Sequence, residues 1–150
     1  MPEDHARFMR LALEEATIGG AEGNAAVGSV IVQGDTVVAR GRNLVTTTSD
    51  PTAHAETVAL RNAGAALQHT DFSGCTLYTT FEPCPMCCGA ILVSGIATLV
   101  MGARPAPNES RWGGYSVEKL IEFVAGGDRI DVVTGILIRE CAEVRQVEGT

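Results

Sequence analysis

Leu77-Tyr78-Thr79-Thr80-Phe81-Glu82-Pro83-Cys84-Pro85-Met86-Cys87 decides how this chain is read, because an apolar strand runs straight into a Cys-x-x-Cys pair that opens a helix. Upstream, His54-Ala55-Glu56 adds an imidazole and a carboxylate to the two thiols. One imidazole and two thiolates make three zinc ligands. A tetrahedral zinc held by them keeps a fourth position for water, whose pKa the metal lowers towards neutrality. Glu56, two residues from the imidazole, is placed to move that water's protons. Both motifs start helices, where free N–H groups and the positive dipole end favour the Cys84 and Cys87 thiolates. Three residues apart, the two sulfurs share one helical face.

Outward from this stretch, the apolar positions set the remaining elements. Residues 4–17 carry Phe8, Ala12 and Ala16 beside Met9 and Leu13, an i, i+4 stripe that predicts a helix. Residues 27–33 and 36–42 are β-branched runs separated by Gly34-Asp35, which predicts an antiparallel hairpin. A helix is expected over 54–63, a strand over 75–80 and a helix over 84–93. The remainder reads as a strand over 98–102, a helix over 117–124 ending at Gly126-Gly127, a strand over 130–133 and a last helix over 135–144. After the hairpin, strands and helices alternate. That order implies an α/β fold, a three-layer α-β-α sandwich around a central mixed five-stranded sheet. With 150 residues and no Pro/Ser-rich linker, residues 1–150 are expected to form a single domain.

Composition narrows the function classes. No stretch of about 18 residues is free of polar groups, and Met1-Pro2-Glu3-Asp4-His5 lacks the basic and apolar regions of a signal peptide, so a cytoplasmic location is expected. Five cysteines, two of them in Cys-x-x-Cys, suggest metal or redox chemistry rather than a disulfide framework. The net charge is −7 and Lys119 is the single lysine, which disfavours a polyanionic partner and fits a small uncharged substrate.

Other uses of the same residues stay open. A closed structural zinc site would need a fourth protein ligand, and Cys75, Cys88, Cys141, His5 and His69 show no ligand spacing to the other three. A thioredoxin-like redox pair would explain Cys84 and Cys87 but not His54 and Glu56. Asn43, at the end of the second strand, could cap a turn or hydrogen-bond a substrate ring. Residues 103–116, with Glu109, Trp112 and Tyr115 among several prolines and glycines, form either a pocket lid or a surface loop pinned by an aromatic.

At these residues the chain resembles the cytidine deaminase-like superfamily, in its branch of guanine deaminases, fungal-type cytosine deaminases and bacterial tRNA adenosine deaminases. The likeness runs through Val27-Gly28, Gly41-Arg42-Asn43, Asp50-Pro51-Thr52-Ala53-His54-Ala55-Glu56, the Leu77–Cys87 stretch, Gly89-Ala90 and Met101-Gly102-Ala103-Arg104. His-x-Glu followed by Pro-Cys-x-x-Cys is the general zinc deaminase pattern. The resemblance implies Zn²⁺ on His54, Cys84 and Cys87, Glu56 as catalytic proton shuttle, Asn43 as a ring contact, backbone amides near Ala55 and Cys84 lining the site, and a homodimer.

Within the branch, Asp50–Glu56 and Thr134-Gly135-Ile136-Leu137 before Glu140-Cys141-Ala142 are similar to the tRNA enzymes. Ala26, where those carry Pro, and Arg145-Gln146-Val147-Glu148-Gly149-Thr150, where those carry a basic helix, depart from them. With the acidic balance, these departures lead to the expectation that the chain hydrolytically deaminates a free nucleobase or related aminated heterocycle of guanine, cytosine, isocytosine or triazine type, with nucleic acid an unlikely partner. A tRNA adenosine-to-inosine deaminase is the alternative, and a non-catalytic zinc-binding or Cys-x-x-Cys redox protein a second.

Overall fold

The computed structural model describes residues 2–125 and 129–147. In chain order the elements are α1 (Pro2–Ala21), β1 (Gly28–Gln33), β2 (Thr36–Arg42), α2 (Val45–Thr48), α3 (Ala55–Leu67), β3 (Cys75–Phe81), α4 (Pro85–Ser94), β4 (Thr98–Ala103), α5 (Val117–Ala125), β5 (Asp131–Val133) and α6 (Ile138–Val147). The expected helix stop at Gly126-Gly127 lies outside the described residues, as do Glu148, Gly149 and Thr150.

The five strands form one mixed sheet in the order β2-β1-β3-β4-β5. β1 is antiparallel to both β2 and β3, while β3, β4 and β5 run parallel. Two antiparallel steps make β2 parallel to β3, so β2, β3 and β4 all end at one edge of the sheet. In open α/β sheets that carboxyl edge is where ligands bind.

Each face of the sheet is buried by its own apolar cluster. On one side Ile31, Leu77, Leu99 and Met101 pack with Ala59, Cys88, Ile91 and Ile121 from α3, α4 and α5. On the other, Val30, Val32, Tyr78 and Val100 pack with Phe8, Met9 and Cys141 from α1 and α6. Strand alternation separates the two sets, and the result is the expected sandwich of three layers.

The helices lie close to the sheet because small residues line the contacts. A Cβ at Gly41 on β2 would meet Ala59 Cα of α3 at 2.8 Å and collide with the Ala55 carbonyl, so α3 sits against β2 at backbone distance. Helix α1 is longer than its apolar stripe predicts. The last helix begins at Ile138 rather than at residue 135, because Gly135 and Leu137 hold φ of 84° and 53°, a left-handed backbone that cannot join a right-handed helix. The one-turn helix α2 has no apolar period and is invisible to pattern reading. Among the described residues no helix is long and apolar enough to cross a membrane.

Candidate metal and active site

The loop from β2 to α3 is built by short polar side chains. Asn24 Oδ1 accepts the Thr46 and Thr47 N–H groups at 2.9 and 3.1 Å, tethering α2. Asp50 Oδ1 accepts from Thr52 N and Oγ1 at 2.9 and 2.7 Å, an Asx turn that feeds the chain into His54. His54 is the N-cap of α3 and Cys84 the N-cap of α4, both in extended backbone. Pro85 follows Cys84 at the first helical position, where its missing N–H costs nothing. The expected helix starts at His54 and Cys84 are therefore each one residue early, and both ligands stand at helix mouths on the carboxyl edge.

His54 Nδ1 lies 3.5 Å from Cys84 Sγ and 3.5 Å from Cys87 Sγ. The three ligand atoms all fall within 4.8 Å of one another. Zinc–sulfur bonds of about 2.3 Å and zinc–nitrogen bonds of about 2.0 Å at the tetrahedral angle put sulfur and nitrogen about 3.5 Å apart. The donor set thus fits zinc in chemistry and spacing, and zinc is the cofactor of this site. Among the described residues the cluster stops at these three, so the closed structural arrangement lacks its fourth ligand. Cys75, Cys88 and Cys141 are buried elsewhere as free thiols.

The electrostatics suit a cation. The hydrogen bond from Cys87, with help from His54, holds the Cys84 thiol down to about 4 despite its partial burial. Cys87 shifts upward, first through its bond to Cys84 and then through burial, so the pair's negative charge settles on Cys84. The Cys84 sulfur in turn raises His54.

Glu56, in the first turn of α3, is only 4% exposed. Burial pushes its carboxyl upward, against the hydrogen bond that Oε2 receives from Thr79 Oγ1 at 3.0 Å. It lines a cavity of about 280 Å³ together with His54, Cys84, Asn43 and Ala55. Asn43 makes the turn cap, its Oδ1 accepting the Val45 N–H at 3.0 Å, and the residue also lines the cavity. What it can offer a ligand is its NH₂, a donor.

Glu109, Trp112 and Tyr115 border the same cavity, so residues 103–116 wall the pocket. Trp112 is 44% exposed at the mouth with the Arg111 guanidinium 5.0 Å from its ring. Tyr115 lines the cavity while its hydroxyl donates 2.5 Å to the Pro83 carbonyl. Sequence reading gave Glu82 no role. Its buried carboxylate accepts the Val117 N–H at 3.0 Å, starting α5, and lies 4.0 Å from Arg104, which also pairs with Glu118. The wall is therefore fastened at both ends to the Glu82-Pro83 segment that precedes Cys84. Thr79 and Arg145 are the other unanticipated residues at or behind the site, and Arg111 joins it from the 103–116 segment. Glu82 stands inside the quoted Glu-Pro-Cys stretch, but nothing local announced what it or Thr79 would touch.

The sequence pattern of the cytidine and deoxycytidylate deaminase zinc-binding region matches residues 2–103. The chain is 39% identical over 141 residues to a tRNA-specific adenosine deaminase of Haemophilus influenzae, covering 91% of this chain and 78% of that one. Among solved structures it is similar to one from a study of A-to-I editing by tRNA:A34 deaminases at the wobble position, with TM-score 0.78 and 34% identity, covering 92% of this chain and 98% of that one. It is also similar to guanine deaminase from Nitrosomonas europaea, with TM-score 0.81 and 28% identity over 97% of this chain and 85% of that one.

Proposed function

Since the chain belongs to the cytidine and deoxycytidylate deaminase zinc-binding family, we propose that it hydrolytically deaminates an adenosine held in tRNA, replacing the ring amine by a carbonyl and releasing ammonia. The observation that carries this reading is the likeness to a tRNA-specific enzyme across 91% of the chain, well beyond the metal motifs. It reverses the emphasis of the sequence reading, in which charge balance put a free base first. A base turned out of a loop enters a pocket of this kind, and phosphates on either side would meet Arg111 and Arg145, which border the cavity.

Bound zinc on His54, Cys84 and Cys87 supplies a water acidic enough to serve as nucleophile near neutral pH. Glu56 would take one proton from the attacking water and deliver it to a ring nitrogen next to the amine-bearing carbon, then take the remaining proton of the added hydroxyl and pass it to the amine, so that ammonia leaves as the carbonyl forms. Asn43 orients the ring by donating from its NH₂ to a ring acceptor. Ala55 lines the cavity as the first residue of α3, and its N–H, which has no helical acceptor, would donate to the same ring. Trp112 covers the mouth, and Tyr115 holds the wall in place through Pro83.

A free nucleobase is the second reading. The net charge of −7 and the likeness to a guanine deaminase favour it. Ammonia release from an adenosine-containing tRNA anticodon stem-loop, beside free guanine, cytosine, isocytosine, adenine and an aminated triazine, separates the two. Release from the stem-loop alone supports the proposal, and release from a free base alone replaces it with the second reading. The homodimer belongs to the same proposal: Val93 on α4 is 86% exposed, and sedimentation at micromolar protein should give twice the chain mass.

A further inference from the structure

Two buried hydroxyls stand behind Glu56, and the reaction as described uses neither. Thr79 on β3 is fully buried, and its Oγ1 donates to Glu56 Oε2 at 3.0 Å. The same oxygen lies 3.3 Å from the Phe81 carbonyl, so one hydroxyl proton has two acceptors within reach. An ionised carboxylate is the stronger of them. On β1, Ser29 is the direct antiparallel partner of Thr79. Directly opposed residues project from the same face with Cβ atoms about 4.5–5.5 Å apart. Ser29 is fully buried as well, and among the described residues its Oγ is the one buried side-chain nitrogen or oxygen without a hydrogen-bond partner.

An unsatisfied buried hydroxyl needs an explanation, and its neighbour provides one. Once Thr79 has given its proton to Glu56, its oxygen retains lone pairs that can accept the Ser29 proton. A small rotation of Ser29, or one water between the two, completes the chain of donors. The last torsion of a glutamate is broad and roughly two-fold, so an untethered carboxylate swivels. A donor fixed on a central strand removes that freedom.

We infer that Thr79 is the positioning residue for Glu56, with Ser29 behind it as second hydroxyl of a relay that holds Oε2 and leaves Oε1 to carry protons. The inference rests on the proposed role of Glu56 but not on which ring is deaminated.

The test compares Thr79→Val, Thr79→Ser, Ser29→Ala, Glu56→Ala and the Ser29→Ala/Thr79→Val double variant on whichever substrate the wild type turns over. Valine keeps the β-branched shape that the strand requires. With one zinc retained per chain, Thr79→Val should lower kcat by about ten- to a hundredfold and leave KM within about twofold, the pattern of an interaction used in the transition state. Thr79→Ser should restore most of the rate. Ser29→Ala should lower kcat in the wild type but have no further effect on top of Thr79→Val. An unchanged kcat in Thr79→Val, or a Thr79→Ser as impaired as the valine variant, overturns the positioning role; additive losses in the double variant overturn the relay. Full activity in Glu56→Ala would overturn the proton-carrier role and the inference together, whereas loss there with an unaffected Thr79→Val overturns the inference alone. A crystal structure of zinc-loaded Thr79→Val gives a readout independent of turnover: a Glu56 carboxylate turned from its wild-type position supports the inference, and one that stays in place overturns it.

Discussion

Glu56 occupies a position that stability alone would not choose. A carboxylate with 4% of its surface in contact with solvent loses most of its hydration, and the Thr79 hydrogen bond offsets only part of that loss. Replacing it by alanine should leave one zinc per chain and reduce turnover by about 10²–10⁴-fold, the range general acid–base catalysis contributes. Cys87→Ser should lose the metal and the activity together, and metal analysis beside ammonia release separates these two outcomes. Asn43→Ala should raise KM several-fold with little change in kcat, because its NH₂ orients the ring without taking part in proton transfer; steady-state kinetics on the identified substrate would check it. His54, Glu56, Cys84 and Cys87 were legible in the sequence because ligand types at fixed short spacing carry their chemistry with them. Thr79, Ser29 and Glu82 were not. What a strand hydroxyl or a buried carboxylate touches is set by sheet register and by a segment some 35 residues away in the chain.

At the scale of elements, the site is only as well placed as α3 and α4, whose first residues follow the ligands. The approach of α3 to β2 depends on Gly41, where a methyl group would press on Ala59 and on the Ala55 carbonyl. Gly41→Ala should cost about 1–3 kcal/mol as overpacking. For a chain of this size that lowers Tm by about 2–4 °C for each kcal/mol, and displacement of His54 and Glu56 should reduce turnover more than the stability loss explains. Thermal melts and kinetics on the same preparation decide it. Most elements were readable from period and punctuation, because amphipathic stripes and β-branched runs are local signals. The start of α6 was not, since the left-handed turn at Gly135 and Leu137 delays the helix by three residues while Ile136 and Leu137 continue its apolar pattern. The α2 turn depends on Asn24, a residue in another loop, and so leaves no local trace.

For the whole molecule, the two apolar clusters on either face of the sheet owe nothing to the metal. Chelation should therefore abolish activity and lower Tm by an amount that grows with the free zinc it replaces, while unfolding stays cooperative. A broad, non-cooperative melt of the chelated protein would mean that zinc also organises the fold. The three-layer architecture was foreseen because alternation of strands and helices leaves few ways to bury both faces of a sheet. If the proposed tRNA reading holds, the choice of substrate was less accessible. Net charge describes the surface as a whole, whereas recognition of a nucleic acid depends on a few cations at the right edge, and Arg111 and Arg145 meet at the cavity only after folding.

The pocket wall is clamped at its base, with Arg104 joined to Glu118, Glu82 capping α5 and Tyr115 bolted to Pro83. The wall thus joins the metal-bearing segment only at its ends, while the residues between them line the cavity opposite the ligands. The clamp leads to the expectation that the span between Pro105 and Gly114 tolerates insertion, deletion or grafting with one zinc still bound per chain, which metal analysis of such variants would check. A scaffold arranged in this way lets new ring specificities arise without the catalytic apparatus being rebuilt each time.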